Sequence, residues 1–261
     1  MRIQGKVALI TGASEGIGAA CVEEFRKRGA RLSLVARNEE KLRQVGGAEA
    51  CIAAGDITQP ETRERALART LERFGSVDIL INNAGIGMYA PAWKAPMAEV
   101  RRMFELNLFA PLELVQLVAP HMRERGSGTI VNVSSMAGQM TLPWFTLYSA
   151  SKFALNALTD GLRMELQPDN IRCISVCPGY VRTEFQSHVL AGQPPDRILR
   201  GKRFAITAGQ CASAIADAVE RDTRTVVTPR IGRLLIALRR MFPSIVDGKL
   251  AALYHGDREA G

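Results

Sequence analysis

The sequence predicts an α/β fold in which one domain forms a doubly wound parallel sheet with helices on both faces. Short, almost continuously apolar runs, typical of strands buried on both faces, alternate with amphipathic segments along most of the chain. A glycine-rich turn separates the first such run from the first helix-like segment. With 261 residues, 47 % of them hydrophobic and 23 % charged, the chain can fill one sizeable core.

The individual elements follow from this alternation. We predict strands over residues 7–11, 31–36, 48–53, 77–82, 129–134, 171–177 and 225–228. Helices are predicted over 16–28, from Pro60 onward, and over 97–106, 108–125, 145–166, 208–219, 229–242 and 247–254. Residues 179–207 show little periodicity and are predicted to form a loop with short helices. The strand–helix order favours a Rossmann-like arrangement.

Composition excludes several classes of protein. No run of about 18 apolar residues is present, and the N-terminus lacks a signal-peptide pattern, so we expect a cytoplasmic protein. The five cysteines are odd in number and contain no Cys-x-x-Cys pair, which favours reduced, buried thiols. The three histidines are scattered, and we expect no metal site.

The net charge of +8 is concentrated near the C-terminus, where residues 197–249 contain eleven Lys or Arg and four Asp or Glu. Such a basic segment can face nucleic acid, anionic lipid or an acidic partner. No nucleic-acid motif or interleaved aromatic residue accompanies it, so we expect no nucleic-acid partner.

Tyr148 and Lys152 are the most informative pair in the chain. Positions i and i+4 share one face of a helix, so a phenol and an ammonium would project together. The cation is expected to lower the tyrosine pKa from its ordinary value of about 10 and to make it a general acid or base. Ser135 lies thirteen residues earlier, at the end of a predicted strand.

The turn Thr11-Gly12-Ala13-Ser14-Glu15-Gly16-Ile17-Gly18 is typical of phosphate binding. Glycines allow a tight turn, close approach of the backbone to a pyrophosphate and close helix–strand packing. The N–H groups at the start of the next helix can bind the phosphate. A plain glycine-rich turn between a strand and a helix is the alternative.

These motifs together resemble the short-chain dehydrogenase/reductase family over roughly residues 6–228. The resemblance rests on the glycine-rich turn, Asn82-Asn83-Ala84-Gly85, Asn107, Ser135, Tyr148, Lys152 and Pro178-Gly179-x-x-x-Thr183. It implies that Tyr148 exchanges a proton with the substrate oxygen, Lys152 holds the nicotinamide ribose and Ser135 hydrogen-bonds the substrate oxygen. Asn107 would hold a helix backbone position and a water. Ser134 competes with Ser135, and Asn107 can also be read as a helix cap.

The resemblance also implies a set of cofactor contacts. Besides Tyr148 and Lys152, they are Gly12, Ser14, Glu15, Gly16, Ile17, Gly18, Arg37, Asp56, Ile57, Asn83, Ala84, Gly85, Pro178, Gly179, Val181 and Thr183. Arg37, with no acid beside it at the end of the second strand, favours NADP(H) over NAD(H). Glu15 stands where many NADP-dependent relatives have a basic residue and speaks against this preference. Asp56 is expected to contact adenine or, alternatively, to form a turn.

The substrate is expected to be a small hydrophobic carbonyl or alcohol. The loop 180–205 would form an apolar lid with Phe185, Val189, Leu190, Ile198, Leu199 and Phe204. The rest of the pocket would come from Met88, Tyr89, Trp93, Met140, Leu142, Trp144 and Phe145. Two rivals remain, a reductase of carrier-bound ketoacyl thioesters and a non-catalytic nucleotide sensor or scaffold. The presence of all four predicted catalytic residues disfavours the sensor.

We divide the chain into a dinucleotide-binding and catalytic part, 1–229, and a basic amphipathic extension of the same domain, 230–261. The helix 230–242 places Ile231, Leu234, Leu235, Leu238, Met241 and Phe242 on one side and arginines on the other. It can contact a membrane peripherally or pack against protein. The resemblance implies a homodimer or homotetramer.

Overall fold

The protein, represented by a computed structural model, is described for residues 1–190 and 205–255. Its main strands are β1 (Val7–Thr11), β2 (Arg31–Ala36), β3 (Cys51–Ala54), β4 (Ile79–Asn82), β5 (Gly128–Val133), β6 (Ile171–Pro178) and, after two short strands, β9 (Thr225–Thr228). They form one parallel sheet in the order β3-β2-β1-β4-β5-β6-β9. The short strands β7 (Val181–Arg182) and β8 (Ile206–Thr207) pair with each other.

Helices connect the strands. They are α1 (Gly16–Lys27), α2 (Glu39–Gly46), α3 (Pro60–Phe74), α4 (Met97–Phe104), α5 (Ala110–Glu124), α6 (Thr146–Glu165), α7 (Ala208–Arg221), α8 (Ile231–Met241) and α9 (Pro243–His255). None of them, as far as residues 1–190 and 205–255 show, is long and apolar enough to cross a bilayer.

The core confirms the doubly wound α/β prediction. Along β1, Ala8 and Ile10 pack in one apolar cluster with residues of α1 and α7, whereas Leu9 packs in a second cluster with residues of α3, α5 and α6. Because side chains alternate across a strand and both faces are covered, most positions of these strands are buried and apolar. This is why the strands appear in the sequence as continuous apolar runs.

The structure differs from the predicted elements in several places, among them the short strands β7 and β8 within the segment 179–207, which was predicted to be a loop with short helices. Helix α2 was not predicted because it has few apolar residues, and its N-cap is Asn38, whose Oδ1 accepts a hydrogen bond from the Lys41 amide at 2.9 Å. The third strand begins at Cys51 rather than at residue 48. The helices predicted over 97–106 and 108–125 are not separated near residue 107. A π-helical turn, Glu105–Phe109, joins α4 to α5 without interruption.

Candidate active site

A cleft of about 1570 Å³ opens at the carboxyl ends of the strands. It lies where the sheet order reverses between β1 and β4, the usual position of ligand sites in open α/β sheets. All residues predicted to act in catalysis or cofactor binding line this cleft, except Gly18 and Asn107. The fold therefore brings together motifs that are far apart in the sequence.

The glycines of the β1–α1 turn are required by close contacts. Gly12 has a φ of +64°, and a Cβ there would lie 2.9 Å from the Ala84 Cα. A Cβ on Gly18 would lie 2.0 Å from the carbonyl oxygen of Gly12, so Gly18 serves helix–strand packing rather than the cleft surface. Asn83 secures the turn by donating from Nδ2 to the carbonyl oxygens of Thr11 and Gly12, at 3.0 and 3.2 Å.

The start of α1 offers uncapped N–H groups to the cleft. Its N-cap residue, Glu15, makes no side-chain capping hydrogen bond, and the first turn contains no acid. The Glu15 carboxylate instead contacts Lys41 at 3.2 Å and His188 at 3.3 Å. Backbone donors at the positive end of a helix dipole form a site for an anion such as a pyrophosphate.

Two cations stand at the end of β2. Arg37 is exposed, lines the cleft and has no ion-pair partner among residues 1–190 and 205–255. Lys41 on the first turn of α2 lines the same part of the cleft. Sequence reasoning missed Lys41 because it missed α2, although Asn38 was available as an N-cap signal.

Asp56 lines the cleft and also forms a turn. Its Oδ1 accepts from the amide of Thr58 at 3.0 Å and from its hydroxyl at 2.9 Å. Asp56 therefore forms the turn that was one alternative drawn from the sequence, and its contact with adenine stays a prediction.

Asn107 lies behind the cleft, fully buried in the π-helical turn. Its Oδ1 accepts from the Ile86 amide and its Nδ2 donates to the Ile86 carbonyl, both at 2.9 Å. Nδ2 also donates to Ser151 Oγ at 3.1 Å. Asn107 thus holds the backbone that follows β4, whereas the sequence suggested that it holds a helix backbone position.

The two serines after β5 have different surroundings. Ser134 is buried, and its hydroxyl donates to the Lys152 carbonyl at 3.1 Å. Ser135 caps a short 3₁₀ helix: its Oγ accepts from the Ala137 amide at 3.0 Å and donates to the Pro178 carbonyl at 3.5 Å, and its hydroxyl is near enough to the Tyr148 phenol to lower the pKa of Tyr148. This geometry favours Ser135 over Ser134 as the partner of Tyr148.

Tyr148 is buried between two aromatic rings. Its ring centroid is 4.2 Å from that of Phe145 and 5.9 Å from that of Phe185. Burial raises the pKa of Tyr148 well above its ordinary value, and the nearby Ser135 hydroxyl offsets only part of this rise. The predicted lowering of this pKa by Lys152 is therefore wrong for this structure, because desolvation of the phenolate outweighs any favourable charge.

Lys152 shares this buried environment. Its Nζ lies 5.8 Å from the centroid of the Tyr148 ring and donates to the Val133 carbonyl at 3.0 Å. Burial disfavours the ammonium and lowers the pKa of Lys152 to about 8. The helical spacing brought the two side chains together as predicted, but the lysine cation is held by the β5 backbone rather than by the phenol.

The remaining wall of the cleft is apolar. Of the predicted substrate residues, the following line it: Tyr89, Met140, Leu142, Phe145, Phe185 and Leu190. Others do not line it: Met88, Trp93, Trp144 and Val189. Ile198, Leu199 and Phe204 lie outside the described residues.

Helix α8 adds Ile231, Leu234, Leu235 and Leu238 to the cleft. Sequence reasoning had recognised this helix as amphipathic but had not placed it at the site.

These features fit a dinucleotide. The glycine-rich turn lines the cleft, the uncapped start of α1 supplies donors, and Lys152 is available near the glycine segment after β4. No three or more His, Cys, Asp or Glu residues within 1–190 and 205–255 are grouped closely enough to hold a metal ion.

Comparison with known proteins agrees with this geometry. The sequence model of a family described as short chain dehydrogenase matches residues 6–194. The chain belongs to the short-chain dehydrogenase/reductase family. It is therefore an oxidoreductase with the Rossmann-like fold of this family.

Similar members of the short-chain dehydrogenase/reductase family span nearly the whole chain. The ketoacyl reductase HetN of Nostoc sp. is 31 % identical over 259 residues, covering 94 % of this chain and 88 % of the relative. A short-chain dehydrogenase/reductase from Burkholderia phymatum, solved with NAD, has a TM-score of 0.85 at 26 % identity and covers 94 % and 96 % of the two chains. A short-chain dehydrogenase from Burkholderia cenocepacia, solved with NADP, has a TM-score of 0.81 at 30 % identity and covers 96 % and 99 %.

Proposed function

We propose that the protein is a nicotinamide-dependent oxidoreductase that prefers NADP(H) and acts on a hydrophobic carbonyl/alcohol pair. One observation carries the proposal. Tyr148, Ser135 and Lys152 line the same cleft as the glycine-rich turn and a set of apolar side chains, so one cleft combines a cofactor-type turn, a proton donor and an apolar wall. Lipid, steroid, retinoid and aromatic ketones all suit such a site.

The residues divide the reaction between them. A bound nicotinamide supplies or accepts the hydride. Ser135 hydrogen-bonds the substrate oxygen as negative charge develops on it. Tyr148 donates the proton, and its raised pKa keeps it in the phenol form at neutral pH, which suits reduction of a carbonyl. Lys152 holds the ribose hydroxyls and, as a cation, offsets the negative charge left on the buried phenolate.

Tyr148→Phe tests this assignment because it removes only the hydroxyl. We expect turnover with NADPH and a hydrophobic ketone to fall about 10²- to 10⁴-fold, with NADPH affinity unchanged within about twofold. Tyr89→Phe is the matched control, since Tyr89 lines the same cleft and its ring stacks on Phe145 at 4.4 Å. Full activity of Tyr148→Phe would refute the mechanism.

The preference for NADP(H) is supported by Arg37 and Lys41, which provide two positive charges at the end of β2 for a ribose 2′-phosphate. Glu15 does not cancel both, because its carboxylate pairs with Lys41 and not with Arg37. Solved relatives of this chain contain either NAD or NADP, so the choice depends on these local residues.

Fluorescence titrations that measure the affinity for NADPH and for NADH test the proposed cofactor preference. Arg37→Ala is expected to weaken NADPH binding about 10- to 100-fold, the value of a hydrogen bond to a charged group, and to leave NADH binding unchanged. Arg43→Ala, on α2 but paired with Glu39, serves as the control. A wild-type protein that binds NADH more tightly than NADPH would overturn the preference.

A reductase of carrier-bound ketoacyl thioesters is the second candidate. It is favoured by the similarity to the ketoacyl reductase from Nostoc and by the exposed arginines of α8, which could meet an acidic carrier. A screen of NADPH oxidation across long-chain ketones, steroids, retinal and ketoacyl thioesters separates the two. Tight NADPH binding without oxidation of any substrate class would instead support a nucleotide sensor or scaffold.

We also propose a homodimer or homotetramer formed through α5 and α6. Three large apolar side chains on or next to these two helices are exposed in the single chain: Phe109, Phe153 and Met164. Phe109 ends the π-helical turn before α5, and Phe153 and Met164 belong to α6. Light scattering of the purified protein measures the assembly, and a monomer would refute it.

A further inference from the structure

An apolar face runs along α8 and continues onto the start of α9. Its members are between 37 % and 63 % exposed: Ile231, Leu234, Leu235, Leu238, Met241, Phe242 and Ile245. Residues at i, i+3, i+4 and i+7 share one side of a helix, so the members between Ile231 and Met241 form one side of α8. Phe242 follows the end of α8, and Ile245 lies in the first turn of α9. We call it the α8 face.

Helix α8 packs on the domain through a different side. Gly232 and Ile236 are its buried residues, and a Cβ on Gly232 would lie 2.5 Å from the Met136 sulfur. The close approach at Gly232 fixes the orientation of the helix. One interpretation of the sequence was that the apolar side of this helix packs on the protein's own domain. Within the described residues, the domain instead covers the side of α8 that carries Gly232 and Ile236.

Basic residues accompany the α8 face. Residues 230–250 contain five Lys or Arg and one acid. That acid, Asp247, pairs with Arg239 at 2.8 Å, and Arg240 donates to Gln139 at 3.0 Å. Arg230 and Arg233 are exposed and have no ion-pair partner in the described part of the chain.

A lipid surface fits this combination better than a second copy of the chain. A second copy would bring the same excess of basic residues to the contact, since residues 230–250 contain five Lys or Arg and one acid, and like charges repel. A bilayer with anionic headgroups accepts the apolar side chains and attracts the arginines at the same time. The apolar residues of α5 and α6 also provide a separate surface for assembly.

The α8 face also borders the cleft. Leu234, Leu235 and Leu238 are partly exposed and line the cleft as well. We propose that α8 lies flat on an anionic membrane surface and holds the mouth of the cleft against it, so that an apolar substrate can enter from the lipid. Docking itself does not depend on the proposed reaction.

Vesicle flotation without cofactor or substrate tests the docking. The wild-type protein is expected to float with phosphatidylcholine vesicles containing phosphatidylserine and much less with phosphatidylcholine alone. Arg230→Glu/Arg233→Glu should weaken this binding by more than tenfold, since each basic residue near such a surface contributes about fivefold. Arg101→Glu/Arg221→Glu, with the same charge change on α4 and α7, should bind as the wild type does.

The apolar contribution needs its own variant. Met241→Glu/Ile245→Glu changes two exposed residues that do not line the cleft, and it should abolish flotation while the thermal unfolding curve stays the same. Trp93→Glu/Met97→Glu, equally exposed elsewhere, is the control. A wild type that does not float would overturn the proposal. So would a smaller particle mass for Met241→Glu/Ile245→Glu in lipid-free light scattering, because it would show that a second copy covers the α8 face.

Discussion

At the scale of single residues, Tyr148 and Lys152 show that a cation close to a phenol in the fold does not by itself decide the direction of the phenol's pKa shift. Their i, i+4 spacing was enough to predict that they lie together. The sign of the tyrosine pKa shift was not predictable from the spacing, because it depends on how completely the surrounding elements exclude water. The same burial that raises the pKa of Tyr148 lowers that of Lys152 to about 8.

The Lys152 pKa predicts a pH dependence of cofactor binding. Lys152 is a cation below about pH 8 and becomes neutral as the pH rises through that value. A neutral amine makes weaker hydrogen bonds to ribose hydroxyls, so we expect the NADPH Kd to rise about fivefold between pH 7 and pH 9.5. Fluorescence titration at each pH measures this.

Lys152→Arg provides the comparison for this prediction, because arginine stays charged throughout the range. Its NADPH affinity should be lower overall but should not change near pH 8. A wild-type protein with constant NADPH affinity from pH 7 to 9.5 would contradict the assignment of Lys152 to the ribose.

At the scale of elements, the site depends on junctions where two backbones meet without intervening side chains. Gly18 brings α1 against the end of β1, and Asn107 uses a π-helical turn to reach the backbone of Ile86. In both cases the surface that faces the site is backbone. At Gly18 the lack of a side chain positions that backbone, and at Asn107 the side-chain amide does so. Substitutions at these junctions should therefore affect stability and cofactor binding together.

Gly18→Ala tests this at the β1–α1 junction. An added Cβ would collide with the Gly12 carbonyl oxygen at 2.0 Å, so α1 must move away from the strand. We expect the free energy of unfolding to fall by about 1–3 kcal/mol, as for other overpacked sites, and NADPH binding to weaken. Urea denaturation and fluorescence titration give the two values.

The matched control is Gly161→Ala within α6. A Cβ there meets only the Glu165 carboxylate oxygen at 3.8 Å, so no clash arises. Alanine has the higher helix propensity, and the substitution should stabilise the protein by about 0.5–1 kcal/mol. Equal effects of the two alanines would show that the junction at Gly18 is less tight than the structure indicates.

At the scale of the whole molecule, folding buries every thiol. All five cysteines are free and buried, as predicted from the sequence, and four of them, Cys21, Cys173, Cys177 and Cys211, lie in apolar clusters on the two faces of the sheet or near α8. Burial raises the pKa values of Cys173 and Cys211 to about 12, so few thiolates form at ordinary pH. Their reaction with a disulfide reagent therefore reports opening of the fold.

This predicts a slow and ligand-sensitive thiol reaction. At pH 8 we expect fewer than one thiol per chain to react with DTNB within minutes, against all five in guanidinium chloride. A saturating concentration of NADPH should slow the native reaction further, because a ligand that binds only the folded protein stabilises it by about 2.7 kcal/mol at 100 times its Kd. Rapid reaction of several thiols in the native protein would contradict the burial.

The sequence by itself determined most of the strands and helices, the fold class, the family and most of the predicted catalytic and cofactor residues that line the cleft. These follow from local patterns, since apolar periodicity, glycine spacing and i, i+4 pairs depend on neighbours in the chain. Only the tertiary structure revealed Lys41 on an unpredicted helix, the contact of Asn107 with Ile86, the raised pKa of Tyr148 and the outward direction of the α8 face. Each of these depends on which distant elements surround a residue, because burial and desolvation are properties of the packed molecule and not of the local sequence.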